Sequence, residues 1–472
     1  MVTQAVMFTS RGDGSALRER VVLGHPLIAR AIISSARAGV KEFFVVCDEG
    51  ADELAAMLDA NKVLAKHDCV VQCLSATKCA SDAKLAKKLS AGFLLIPDTA
   101  VVKQELVARF AARPPAKGSS LLLLDSDTRS IREYDGIWRV RLDEKSGKLA
   151  EAGRDLDAWN ASWTGLALCP GQLLGKIVQE FVKRPEGWYE KSFLKFFTPA
   201  TTGFTYCAQD YAINVCSPQL AERAEKILLN SVRKATDGFV SRNFNRYVSL
   251  FLSRWLIRVG ASPNFISGAN LLLGVIASVL LGMGGHLEAI IAALLFQFTS
   301  IVDGSDGEVA KLTWTMSPNG AWIDTICDQL TYVMFFVALP LGLYFDKTVL
   351  TEGGNPLFIV LGGVTLLAFG AMFWLMSRYV KRVRGEGSML QIIKDIEESA
   401  KQPGLGGLVD RMVMKISFIF RRDFFAFATM IVLIAGLSAP LMWLISSLCT
   451  IQVGYLWLFS QRRFRMLGLR KR

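Results

Sequence analysis

Apolar and polar positions alternate in two different ways along this chain, and the change falls near residue 230. Before it, short apolar runs are separated by segments of helical spacing. AVMFT, EFFVVCD, GFLLIPD and SLLLLDSD read as strands, while residues 26–38 repeat apolar positions at helical intervals until Gly39 stops them. Apolar strands separated by helices predict an α/β domain on a mainly parallel sheet, covered on both faces. Such sheets bind ligands at the carboxyl ends of their strands, where Gly12, Gly14, Asp98 and Asp125 are expected to gather.

Beyond residue 264 the pattern becomes long and apolar. Six segments, at about 265–284, 287–304, 321–345, 356–377, 423–439 and 441–460, predict an all-α six-helix transmembrane domain. Several approach the roughly 20 residues that cross a bilayer. Gly and Ala are frequent in the first, second and fourth, which favours close helix packing. Between the two halves, EKILLNSVRKATDGFVSRNFNRYVSLFLSRWLIRVG is amphipathic and basic. Leu250, Phe251, Trp255, Leu256 and Val259 share one helical face, with Arg246, Arg254 and Arg258 nearby, the pattern of a helix lying in a membrane interface. The expected domains are therefore 1–230, a juxtamembrane linker 231–263, and a membrane domain 264–472.

Charge changes this picture in one respect. A net charge of +12 would suit a nucleic-acid partner, yet the Lys and Arg residues after residue 230 cluster beside apolar spans. Contact with anionic lipid headgroups, and no nucleic acid, is the expectation. Residues 378–422 hold ten Lys or Arg and the tail QRRFRMLGLRKR six, whereas the opposite connections hold only Lys347. The positive-inside rule then predicts a multi-pass protein of the cell membrane, with both termini and the loop after the second span cytosolic. The opening MVTQAVMFTSRGDG lacks a basic-then-apolar secretory pattern, which agrees with a cytosolic first domain. Nine cysteines without a CxxC pair and three separated histidines predict reduced structural thiols, not a zinc site or a disulfide framework.

The candidate chemistry lies in that loop, DGSDGEVAKLTWTMSPNGAWIDTICD. Asp303 and Asp306 are three residues apart, and Asp324 and Asp328 four, so each pair shares a helix face. Helix capping needs one carboxylate, not four in two phased pairs. Ionisable groups beside hydrocarbon mark a functional site, and two such helix ends could form an oxygen cage for hard divalent cations. A transporter or channel using these carboxylates for a cation would place charge near the bilayer midplane and break helices symmetrically in two halves. The sequence has neither feature.

Asp303-x-x-Asp306-Gly307-x-x-Ala310-Lys311, eight residues, then Gly320-x-x-x-Asp324-x-x-x-Asp328 resembles the signature of the CDP-alcohol phosphotransferase family, with Lys311 where the family usually has Arg. The resemblance implies that Asp303, Asp306 and Asp324 hold two ions, Mg²⁺ or Mn²⁺, and that Asp328 is the general base. It assigns Gly307, Ala310, Lys311 and Gly320 to the CDP group, together with Pro263 and Ser267 from an element similar to the family's Pro-x-x-x-Thr. It also implies a homodimer. The partners would be a CDP-alcohol donor, an alcohol or polyol-phosphate acceptor and membrane lipids, and the product CMP. Arg378, Arg421 and Arg422 stand at the level of the aspartates, where they could bind an acceptor phosphate.

The first half resembles the sugar-phosphate nucleotidyltransferase family, with its Rossmann-like fold, through the Gly12–Gly14 loop, LGHPLIARAIISSARAGVKEFFVV and GIWRVRLDEKSGKLAEAGRDLDAWNASWTGLALCP. That implies nucleotide binding by Gly12, Gly14, Arg18 and Asp98. Two positions depart: His25 stands where the family has Lys, and Trp163 where it has a metal-binding Asp before Thr164-Gly165. The fusion of the two halves resembles the bifunctional inositol-phosphate cytidylyltransferase and di-myo-inositol-phosphate-phosphate synthase family, which implies inositol-phosphate or phospholipid head-group synthesis. The alternative is a CDP-diacylglycerol-dependent phospholipid synthase with a non-catalytic first domain.

Overall fold

A computed structural model describes residues 2–10, 15–113, 118–127, 134, 136–143, 148–185, 192–233, 237–346, 354–384, 390–416 and 421–467. It divides into two units, Met1–Ser231 with Leu312–Trp314, and Val232–Lys311 with Thr315–Arg472.

The first unit is built on a nine-stranded sheet. Its strands are β1 (Gln4–Thr9), β2 (Glu42–Cys47), β3 (Val70–Ser75), β4 (Phe93–Leu95), β5 (Ser120–Asp125), β6 (Arg139–Leu142), β7 (Leu149–Gly153), β8 (Ala161–Cys169) and β9 (Thr202–Tyr206). The main path runs β7-β6-β8-β4-β1-β2-β3, and β5 pairs with β8 and β9. Strands β1, β2 and β8 are buried on both faces, as their unbroken apolar runs require.

The sheet is more mixed than the sequence pattern implies. β1 pairs in parallel with β2 and β4, and β2 with β3, but β8 runs antiparallel to β4, β5 and β6. The reason is the connection: the chain reaches β8 through the antiparallel pair β6–β7 and not through a helical crossover. The β8–β5 register shifts between Trp163 and Ala167. Gly165 sits there at φ +86°, and a Cβ at that point would lie 2.2 Å from Pro97 Cγ. Only glycine meets both conditions.

The second unit is helical: α1 (Arg246–Arg258), α2 (Pro263–Gly282), α3 (His286–Leu312), α4 (Pro318–Phe345), α5 (Pro356–Arg384), α6 (Leu390–Ala400), α7 (Leu405–Ile416), α8 (Arg422–Ile434) and α9 (Ser438–Met466). Among the described residues five helices are long and apolar enough to cross a membrane: α2, α3, α4, α9 and, to Val383, α5. This corrects the expectation of six. Segment 423–439 instead forms the 13-residue α8, about 20 Å long against a hydrocarbon core of about 30 Å. The left-handed Gly436 (φ +73°) separates α8 from α9.

Helices α2 and α4 open alike, on Ser-Pro-Asn. The N-cap hydroxyls of Ser262 and Ser317 accept from Phe265 N at 3.2 Å and Gly320 N at 3.0 Å, and each Pro follows at the first helical position. Small residues bring these helices together along their length. A Cβ on Gly274 would meet Thr331 Cγ2 at 2.9 Å, and one on Gly342 would meet Leu281 O at 2.1 Å. At the start of α4, a Cβ on Gly320 would lie 3.2 Å from Asn264 Oδ1 of α2.

The juxtamembrane helix α1 carries an exposed stripe of Phe251, Trp255 and Val259, continued upstream by Phe244 and Tyr247. Two residues grouped with that amphipathic face behave differently. Leu250 and Arg246 are buried, and Arg246 turns inward to an ion pair with Asp237 and Glu308.

Candidate active site

The end of α3, the starts of α2 and α4, and the first turn of α8 meet around the aspartates. Asp303, Asp306, Gly307 and Lys311 of α3 line a cleft of about 440 Å³ together with Asp324 of α4 and Arg421 and Arg422. One carboxylate oxygen from each of Asp303, Asp324 and Asp328 lies within 4.8 Å of the other two. Three carboxylates this close repel one another, and a cation relieves that repulsion. Their hard oxygen donors fit Mg²⁺ or Mn²⁺.

Asp306 takes a different orientation. It is buried, and it accepts a hydrogen bond of 2.5 Å from Ser267 Oγ, whose hydroxyl also lies 3.2 Å from the Pro263 carbonyl. Ser267 and Pro263 thus stand beside the α3 carboxylates, on the helix α2 that small residues hold against α4. Ala310 is buried at the next turn of α3. Gly307 faces open space, with nothing within 4 Å of the place a Cβ would occupy. A bound group can approach the backbone there.

Cations complete the site. Arg422 Nη1 donates to Asp303 Oδ1 at 2.7 Å and also to Asp328 Oδ1, with the guanidinium 15 % exposed. Arg421 is more exposed and lies 3.8 Å from Asp423. Arg378 stacks on Trp374 at 5.0 Å and is not among the residues that line the cleft.

A second buried network underlies the cleft, and the sequence reading missed it. Arg246 donates two hydrogen bonds of 2.8 Å to Asp237 and another to Glu308. Glu308 also accepts from Ser249 Oγ at 2.8 Å and Ser253 Oγ at 2.7 Å, so its carboxylate is saturated though only 2 % exposed. The available signal was Glu308 itself, a third kind of acidic position inside the signature helix.

In the first unit Gly12 and Gly14 lie outside the described residues. Arg18 is buried and donates to Thr9 Oγ1 at 2.7 Å and Ser10 O at 2.9 Å, at the carboxyl end of β1. Burial raises the nearby Asp98 carboxyl to about 6, against the lowering effects of a Thr9 hydrogen bond and the Arg18 charge. Asp125 ends β5 and lines a cavity of about 260 Å³ with Trp138, Trp163, Asp210 and Asn214; Asp98 is not among its lining residues. Burial lowers His25 to about 4, so at pH 7 it supplies no cation where the resembling family has Lys. Trp163 is a core residue: its indole packs on Phe193 at 5.0 Å and Phe197 at 5.8 Å, and its Nε1 donates to Leu166 O at 3.0 Å.

Comparison with known proteins agrees with the geometry of the second unit. Residues 261–452 match the family CDP-alcohol phosphatidyltransferase. Three similar proteins, each called bifunctional IPC transferase and DIPP synthase, come from Archaeoglobus fulgidus, Thermococcus kodakarensis and Aquifex aeolicus. The first is 26 % identical over 211 residues, 44 % of this chain and 40 % of that protein. The second is 25 % identical over 350 residues, 72 % of this chain and 76 % of that protein. The third is 27 % identical over 206 residues, 43 % of this chain and 46 % of that protein. The matches thus span less than half the length of the first and third relatives and about three quarters of the second.

Among solved structures, the inositol-1-phosphate CTP transferase from T. maritima aligns over 48 % of this chain and 97 % of its own, at 15 % identity and a TM-score of 0.34. The UTP-bound UGPase from Acinetobacter baumannii aligns over 50 % of this chain and 95 % of its own, at 16 % identity and a TM-score of 0.34. With five apolar helices of membrane-crossing length, the chain is an integral membrane protein whose residues 261–452 match the CDP-alcohol phosphatidyltransferase family.

Proposed function

We infer that this protein is a membrane transferase that moves a substituted phosphate from a CDP-alcohol to an alcohol acceptor and releases CMP. The observation that carries this reading is the convergence of Asp303, Asp324 and Asp328, the first two of which line the cleft, within the stretch that matches this family. Asp303, Asp306 and Asp324 would hold two ions, Mg²⁺ or Mn²⁺, with Asp306 oriented by Ser267. When bound, the cations neutralise the diphosphate and favour in-line displacement. Gly307 and Ala310 leave room for the cytidine, Gly320 and Pro263 sit beside it, and Lys311 meets the diphosphate as a point charge. Asp328 takes the proton of the attacking hydroxyl, and Arg422 fixes its orientation. Arg421 and Arg422, which line the cleft, receive an acceptor phosphate, together with Arg378.

The names of the relatives point to inositol phosphates as the alcohols, and the fused α/β unit agrees with a chain that handles such a donor. The active site and both termini face the cytosol on the positive-inside argument, and the membrane helices form a homodimer. One observation favours a second reading for the first unit. Trp163 is locked in an aromatic core where a metal-binding carboxylate would stand, so this unit binds its ligand without transferring a nucleotide, and the donor is then a lipid such as CDP-diacylglycerol.

The test is direct. Purified full-length protein with Mg²⁺, CDP-inositol or CDP-diacylglycerol, and inositol phosphate should release CMP, and a chelator should stop it. Which donor is consumed separates the two readings. Pyrophosphate release from CTP and inositol phosphate would refute a silent first unit. Absence of CMP with every donor, together with cation flux into sealed vesicles, would overturn the transferase in favour of a transporter.

A further inference from the structure

Helix α7 is built inside out. A helix on a water-soluble domain turns its apolar stripe to the core and its charges outward. In α7 the Asp410 carboxylate is fully buried, at 0 % exposure. It accepts from Ser399 Oγ at 2.5 Å and Tyr455 Oη at 2.9 Å and pairs with Arg462 at 2.5 Å. On the opposite side of the helix, Leu405, Leu408, Val409 and Met412 are 82, 46, 45 and 58 % exposed. Their spacing is i, i+3, i+4, i+7, one continuous apolar stripe. Exposed Arg411 and Lys415 border it on one flank.

The other arm of the hairpin is more polar outside. In α6 Ile392, Asp395 and Ile396 are buried, and Lys394, Glu397 and Glu398 are exposed, with Ile393 alone among the described apolar residues beside them. Both arms are fastened to helices of membrane length. Tyr379 of α5 donates to Asp395 of α6 at 2.8 Å, and Tyr455 and Arg462 of α9 both reach Asp410 of α7. Tyr455 and Arg462 are two turns apart, about 10 Å along α9, so Asp410 is level with apolar sequence as well as with the charged end of that helix.

We propose that the α6–α7 hairpin lies in the lipid–water boundary of the bilayer, with the outer stripe of α7 among acyl chains and the outer face of α6 in water. A carboxylate that faces the bundle and is fully paired, behind an apolar outer surface, is the arrangement of a membrane-embedded helix. Arg411 and Lys415 then meet anionic headgroup phosphates. The occupant of the exposed stripe is lipid. Continuity with α5 and α9 argues for it, and so does the basic flank.

Photo-crosslinking in the full-length protein tests this. Leu408→p-benzoylphenylalanine and, separately, Leu405→p-benzoylphenylalanine are reconstituted in phosphatidylcholine–phosphatidylglycerol vesicles and irradiated, and the adducts are read by mass spectrometry. Glu397→p-benzoylphenylalanine on α6 is the water-facing control. Leu405 is the more exposed site, so it reports even where the bulkier side chain at Leu408 disturbs the helix. The proposal expects lipid adducts at 405 and 408 several-fold above those at 397. Chain-to-chain adducts at 405 or 408 would overturn it in favour of a second copy of the chain. Lipid adducts no more frequent than at 397 would overturn it in favour of an aqueous hairpin.

Discussion

Asp328→Asn separates catalysis from stability, because the two should move differently. In the native cluster Asp328 feels two like charges, Asp303 and Asp324, with donor atoms within 4.8 Å, and one opposite charge, Arg422. At an effective dielectric of 20 each repulsive pair at that separation is about 3 kcal/mol, and a contact ion pair near 3 Å is about 5 kcal/mol in the attractive direction. The two repulsions together and the single attraction nearly cancel. Removing the charge should therefore leave the fold within about 1 kcal/mol of the parent, a shift of a few degrees in Tm. The isosteric amide still meets Arg422, which keeps its bond to Asp303. The loss of a positioned base, by contrast, should lower CMP release by about 10²- to 10⁴-fold. Initial rates of CMP release with saturating Mg²⁺, beside a thermal melt of the same preparation, check both halves. A variant that releases CMP within threefold of the parent would refute the base assignment. A large drop in Tm would refute the charge balance.

Three further outcomes follow from named contacts. Burial holds His25 near 4 and Asp98 near 6, and these shifts act in opposite directions on the stability of the first unit. His25 favours folding above its unfolded pKa of about 6.5, and that contribution is lost as pH falls toward 4; Asp98 favours folding most below about 4, and that contribution is lost as pH rises through 6. Hydrogen exchange of β1 and β4 in full-length Asp98→Asn should therefore show stability rising from pH 4 to 6.5 more steeply than in the parent, by about 3 kcal/mol, and His25→Gln should show the opposite change of slope. Gly165→Ala forces a Cβ into Pro97 at a left-handed φ, so exchange protection of β8 should fall by about 2 kcal/mol or more, and unchanged protection would contradict the bulge geometry. Glu308→Ala leaves Arg246 with one carboxylate partner and strips Ser249 and Ser253 of theirs, so melting in detergent should report a loss of about 3–5 kcal/mol, with Glu308→Gln recovering part of it.

The legible part of this protein is whatever depends on local periodicity. Apolar runs of two lengths mark the sheet and the membrane helices, and helical spacing alone places Asp303 with Asp306 and Asp324 with Asp328 on common faces. A run of apolar residues does not report where a helix stops, which is why 423–439 read as a span and folds as the 13-residue α8 before Gly436. Spacing likewise does not say how two helices meet. That depends on the close approach of α2 and α4 at Gly274, Gly320 and Gly342, each contact bridging residues more than fifty positions apart. Tertiary packing turned Asp306 toward Ser267 and grouped Asp303 and Asp324 with Asp328. It also set Arg422 between two of those carboxylates and drew Arg246 inward to Glu308. Sequence by itself determined which residues can share a face. The three-dimensional fold decided which faces converge, because the partners that satisfy a buried charge come from other helices and no local pattern encodes them.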